Sequence, residues 1–226
     1  MALINYSRNF ELIGSSPNRN FRVCNHDTGA SASGKHLLVI ITMQRTVQFT
    51  GASYDGVSMP NSTLVLYQDY TGLSQRQIVY TLANPSDGNN QFRVNFNNNQ
   101  WGNVQISCYT FIGCAGVGNT GQNGGVGTPN NQTLTCSNGS IIMMSGISSG
   151  GSFSDFVIDG SNTPKLYELS TNKRTAGTLS SPVSAGSITC SSVVANGSNV
   201  TNVRVEMLEA SAPPSSNSGN FLMMFN

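Results

Sequence analysis

The sequence predicts an all-β protein, an antiparallel β-sandwich of two sheets with extended terminal segments. Two observations carry that expectation. Apolar residues alternate with polar ones in several short runs, and turn-forming residues separate those runs at short intervals. Composition agrees, because Asn, Ser, Thr and Gly together make up more than two fifths of the 226 residues. Their amides and hydroxyls compete with a helical backbone for hydrogen bonds and favour turns, which excludes a helix bundle.

Taken in order, residues 1–18 read as an N-terminal arm, since Leu3, Ile4, Phe10, Leu12 and Ile13 are too irregular for one amphipathic element. Ser15-Ser16-Pro17-Asn18 closes that arm with turn chemistry. The run Leu37-Leu38-Val39-Ile40-Ile41 is short and continuously apolar, as in a strand covered on both faces. Leu64–Tyr67, Gln77–Leu82, Ser140–Met144 and Phe153–Ile158 are strand-length runs bounded by Gly, Pro, Asn or Asp. Strict alternation marks Gln91–Phe96, Asn103–Cys108, Asn202–Met207 and, more briefly, Ser187–Cys190, each expected to have one wet side. Gly113 to Asn131 reads as the largest loop, and Pro164 to Leu169 as either a helical turn or a strand. About ten strands result, which suggests a sandwich of jelly-roll type. No internal repeat is visible, so one domain over 19–210 is expected, followed by a Pro/Ser linker and apolar tail over 211–226.

Charge excludes further classes. Lys and Arg number 11 and Asp and Glu 10, a net charge of +1 on a chain only 9% charged. No basic cluster exists to release counterions from nucleic acid. Apolar residues at 38% nevertheless supply a core. No stretch reaches the ~20 apolar residues of a membrane-spanning helix, and the N-terminal residues lack the pattern of a secretory signal, so synthesis in a cytoplasm is expected. Cys24, Cys108, Cys114, Cys136 and Cys190 form no C-x-x-C pair and have no nearby His to complete a zinc site, so they are expected as buried free thiols.

Chemical motifs fail on context. Gly116-Val117-Gly118-Asn119-Thr120-Gly121 satisfies G-x-G-x-x-G, but Gln122–Pro129 cannot be the helix whose amides would meet a pyrophosphate. Gly146-Ile147-Ser148-Ser149-Gly150 satisfies G-x-S-x-G, yet both histidines, His26 and His36, precede it and no helix follows. His26 and Asp27 are sequence neighbours, which in a strand point to opposite faces. Asp155 with Asp159, and Glu206 with Glu209, are the close acidic pairs that a glycosidase would need. No catalytic residue, metal or cofactor is implied.

Two sets of residues remain as candidates for recognition. Trp101 and Tyr109 lead a set of aromatics able to stack on a sugar if exposed together, against the alternative that they pack in the core. Phe221-Leu222-Met223-Met224-Phe225, with Leu3 and Ile4, are candidate interface residues. The tail is either the closing strand of the sandwich or a tether that docks on a neighbouring subunit.

The order of several short elements adds a resemblance. Tyr54-Asp55-Gly56-Val57-Ser58-Met59, then Tyr80-Thr81-Leu82-Ala83-Asn84-Pro85-Ser86-Asp87-Gly88, then Ser107-Cys108-Tyr109-Thr110-Phe111-Ile112-Gly113, resembles a jelly-roll family of tailed-bacteriophage virion proteins. The likeness spans residues 36–113 and, more weakly, continues through Ala210. It implies a non-enzymatic capsid decoration (cement) protein of the virion, self-associating as a homo-oligomer, with a trimer as the candidate state, on the major capsid protein of the same phage. The alternative it leaves is a tail-fibre or tail-tip protein that binds a receptor glycan.

Overall fold

The computed structural model describes residues 1–13, 20–60, 64–70, 74–97, 102–125, 132–149, 151–169, 174–194 and 200–210. All their regular structure is strand, and every strand pairing is antiparallel. The first half of the chain supplies β1 (Ala2–Ile13), β2 (Phe21–Asp27), β3 (His36–Gln44), β4 (Gln48–Tyr54), β5 (Val57–Ser58), β6 (Leu64–Tyr70), β7 (Gln75–Ala83), β8 (Asn89–Asn97) and β9 (Gly102–Ile112). The second half supplies β10 (Cys114–Gly125), β11 (Gln132–Cys136), β12 (Ile141–Ser148), β13 (Phe153–Ile158), β14 (Ser161–Thr163), β15 (Lys165–Leu169), β16 (Arg174–Leu179), β17 (Gly186–Val194) and β18 (Val200–Glu209).

Four sheets result where two were expected. The first half forms β1-β9-β3-β7-β6 and β2-β8-β4-β5; the second forms β10-β18-β12-β16-β15 and β11-β17-β13-β14. Counting each half from its own first strand, the two orders are identical. A duplication of topology is therefore present although no sequence repeat announced it. One short signature does recur at equivalent hairpins: Asp55-Gly56 between β4 and β5 with Pro60 after β5, and Asp159-Gly160 between β13 and β14 with Pro164 after β14. Both turns take left-handed φ at Asp and Gly (51° and 76°, then 52° and 73°), the geometry that tight strand-matching turns require.

Three apolar layers hold the four sheets. Leu37, Val39, Ile41, Phe92, Val94 and Ile106 pack between the two sheets of the first half. Ile142, Met144, Phe153, Phe156 and Ile188 do the same in the second half. Between the halves, Leu38, Ile40, Tyr109 and Phe111 meet Met143, Ile147, Val203 and Val205. Successive strand residues point to opposite faces, so β3 feeds two layers at once. That explains its unbroken apolar run, and β12 with Ile141-Ile142-Met143-Met144 repeats the solution.

The middle layer also corrects the expected wet faces. On β9, Gln105 and Ser107 are buried rather than solvated, because the second half covers them. Their polar atoms are paired there: Gln105 Nε2 donates to Ser107 Oγ at 3.1 Å, and Thr175 Oγ1 donates to Gln105 Oε1. Across the same layer Gln77 Nε2 donates to Ser145 Oγ at 3.1 Å, and Ser145 Oγ lies 3.2 Å from Tyr167 OH. Outer-sheet strands such as β8 keep one exposed face.

Residues 2–13 are not a free arm: they form β1, paired along its length with β9. Residues 114–125 are not loop but strand, and Lys165–Leu169 is strand rather than helical turn. Gly113 alone joins β9 to β10, so Met1, Ile112, Cys114 and Glu209 lie at one end of the block. There the Met1 ammonium meets Glu209 Oε1 at 2.9 Å, and Ala210 N donates to Gly113 O at 2.9 Å.

Candidate interaction surface

The residues singled out for recognition fall in different places. Tyr109 is fully buried in the middle layer and offers no ring face to a sugar. Leu3 packs against that same layer from β1. The side chain of Ile4, Trp101 and the tail residues Phe221, Leu222, Met223, Met224 and Phe225 lie outside the described residues.

The motif-bearing residues turn out to serve the fold. Gly116 to Gly121 lies within β10, beside β18. A Cβ on Gly118 would overlap Glu206 Oε2, and one on Gly121 would lie 2.8 Å from Arg204 Nη2. Glycine is present because two long side chains of the neighbouring strand lie over its backbone. Ser148 is buried within β12, in a strand and not at an exposed elbow.

Glu206 is the centre of the most developed polar cluster. It is buried on the face of β18 opposite Val203, Val205 and Met207, inside the second half. It accepts from Ser137 N at 2.6 Å, Asn119 N at 2.8 Å and Ser140 Oγ at 2.8 Å. Burial alone would push its carboxyl up, but these bonds from Ser137, Asn119 and Ser140 outweigh it and hold the group below the usual carboxylate range. The carboxylate thus ties β10, the turn after β11 and the start of β12 to β18. Glu209, its supposed partner, instead meets the Met1 ammonium.

His26 is buried inside the first half, with Nε2 2.7 Å from Thr110 Oγ1. Asp27 points outward, where its Oδ1 accepts from Gly29 N at 2.8 Å. Burial pushes the imidazole down to about 4, with Asp27 opposing weakly, so the ring is neutral near pH 7. All five cysteines are free and buried, as expected from the sequence. Burial pushes Cys136 up to about 12 and Cys190 up to about 11, which suppresses the nucleophilic thiolate. Among the described residues, no group of three or more His, Cys, Asp or Glu is placed to hold a metal ion. Among the described residues there is no helix long and apolar enough to cross a membrane.

What the surface does offer is shape. The Asp55-Gly56 and Asp159-Gly160 turns lie at the Met1 end of the block. In the first half that end is tied shut: Thr28 N donates to Gly88 O at 2.9 Å, Gly88 N to Gly29 O at 3.0 Å, Asn90 Nδ2 to Asp87 O at 3.0 Å, and Lys35 pairs with Asp87. In the second half a cleft of about 390 Å³ opens between the β13–β14 hairpin and residues 179–184. No sequence signal pointed to it, because it is formed by segments about twenty residues apart.

No protein-family model matches the chain, and no curated protein matches it. Among solved structures, the major capsid protein P2 of bacteriophage PM2 is similar with a TM-score of 0.30 and 11% identity, over 92% of this chain and 99% of that one. A likeness that low carries no weight for fold or role.

Proposed function

We propose that the chain is a non-enzymatic structural protein of a virus particle, a shell subunit that self-associates. The observation that carries this reading is the repeated strand order, with both halves fused through a buried layer into one block. Leaving β6 and β15 aside, β1-β9-β3-β7 faces β2-β8-β4-β5, and the second half repeats it. We read each half as a jelly roll. A chain with two like-folded units fills two adjacent places in a closed ring, so three copies supply six. The resemblance of residues 36–113 to phage virion proteins supports the same role. Duplication provides two similar sets of lateral edges, which suits building a lattice. Cementing a lattice made by a separate major capsid protein is the second reading, favoured by a resemblance concentrated in the first half.

The test is expression of the full chain alone, with mass by light scattering and electron microscopy of the product. Trimers that pack into sheets or shells are the expected result. A persistent monomer that joins purified capsids would favour the cement role, and one that joins nothing would overturn both. Turnover above background on polysaccharide or ester panels would overturn the non-enzymatic reading.

A further inference from the structure

The cleft at the Met1 end and its counterpart in the first half differ in the side chain that ends the equivalent strand. Tyr54 ends β4 and Ile158 ends β13, the equivalent strand, and each is followed by Asp-Gly. In the first half the Tyr54 phenol is buried and reaches across to Ser86 O at 3.3 Å, tying the hairpin to the loop before β8. In the second half Ile158 is too short to make that crossing, and the space between the hairpin and residues 179–184 stays open.

The open space has the character of a peptide site. Half-buried Leu179 and Val183, with Pro164 and Pro182 and the buried Ile158 behind them, supply apolar surface, while Ser161, Asn162 and Ser181 supply hydroxyl and amide groups and Asp159 a carboxylate. No Lys, Arg or His lines it, so it does not select an anion. β14 is the edge strand of its sheet, paired only with β13 among the described strands. An extended segment laid beside such an edge gains main-chain hydrogen bonds and buries alternate side chains.

We propose that this cleft receives the C-terminal apolar segment, Phe221 to Phe225, of a second copy of the chain. Three observations select that occupant. The described chain ends at Ala210, which is hydrogen-bonded to Gly113 at the same end of the block as the cleft. The sixteen residues that follow span up to roughly 50 Å when extended, enough to reach a neighbouring block. Phe221, Met223 and Phe225 alternate with Leu222 and Met224, so one face of a strand presents three large apolar groups to the Leu179 and Val183 surface. Two Pro in the spacer oppose a helix or a central strand there and suit an extended link. The first half, plugged by Tyr54, takes no such segment, so each copy offers one socket and one tail.

This inference rests on the self-association reading, and the experiment separates the two. Full-length chains carrying Ser181→Cys are mixed with tagged full-length chains carrying Met223→Cys under mild oxidation, the native thiols being buried. The mixed disulfide species is expected at least tenfold above a control in which Ser86→Cys, in the loop that follows β7 as residues 180–184 follow β16, replaces Ser181→Cys. Adding Ile158→Tyr to the Ser181→Cys chain is expected to remove most of that yield. A yield equal to the control, or cross-linking only within a doubly substituted chain, overturns the proposal. Cross-linking by copies that form no shell would uphold the docking and overturn the shell reading, while shells without cross-linking would do the reverse.

Discussion

The two halves share a strand order and fill it differently. The first sandwich has an interior of Leu37, Val39, Phe92 and Ile106, with His26 as its buried ionisable imidazole; the second encloses Arg204 and Glu206 on β18. At the Met1 end the first is plugged by Tyr54 and the Lys35–Asp87 pair, while the second is open. The difference teaches that topology was retained while each interior found its own way to satisfy polar groups and occupy volume. A strand order needs only the right faces apolar, so many side-chain sets fit it. What diverged is where a partner can enter.

Substitutions that interchange the two solutions break or sharpen this comparison. The largest effect is expected from Glu206→Ala, which strands the Ser137 and Asn119 amides and the Ser140 hydroxyl in a buried site. A loss of about 3 kcal/mol is expected in urea unfolding. A loss under 1 kcal/mol would show that the clasp is not what holds the second half. Tyr54→Ile should then cost about 2 kcal/mol by removing buried ring area and the bond to Ser86 O, and should open the first corner to match the second. Unchanged stability would mean that the hydrogen bonds of Thr28, Gly88 and Asn90 close that corner without the phenol.

Acid should separate the halves by pH. His26 has a folded value near 4 against an ordinary 6.5, so the unfolded chain binds the proton first as pH falls. Stability contributed by the neutral ring is present above about 6.5 and is lost down to about 4, by an amount on the order of 2 kcal/mol. Glu206 is shifted in the same direction from a lower ordinary value, so its contribution is likewise lost as pH falls but only at lower pH. Thermal unfolding of His26→Gln from pH 7 to pH 4 should show a flatter slope than the parent; equal slopes would remove His26 from the account. The smallest effect is expected from Val57→Ser, since Val57 is 71% exposed in its hairpin. Its unfolding midpoint should move by no more than about 0.5 kcal/mol, and a larger shift would indicate a contact on that turn.

Much of the strand content was legible, and the reason is periodicity. Phe92, Val94 and Phe96 alternate because β8 has one dry and one wet side, and Leu37–Ile41 is continuous because β3 is covered twice. The glycine-rich β10 was not legible, since its residues carry no apolar pattern and are chosen for the room they leave Arg204 and Glu206. β1 was missed because its pattern is irregular, and a register shift between Leu3 and Asn5 interrupts its alternation. The cleft was invisible because it depends on Ile158 being shorter than Tyr54 at an equivalent position, and equivalence exists only once strands are paired.

The sequence by itself determined an antiparallel all-β chain, its turns at Asp-Gly, and buried thiols without metal-binding spacing. The tertiary structure decided how many sheets there are and what covers each face. Period two states that the two faces of a strand differ; it does not state whether the polar one meets water or another sheet. Gln105 and Ser107 read as solvent-facing for that reason, and they lie in a buried layer because neighbouring hydroxyls and amides there replace the water they would otherwise bind.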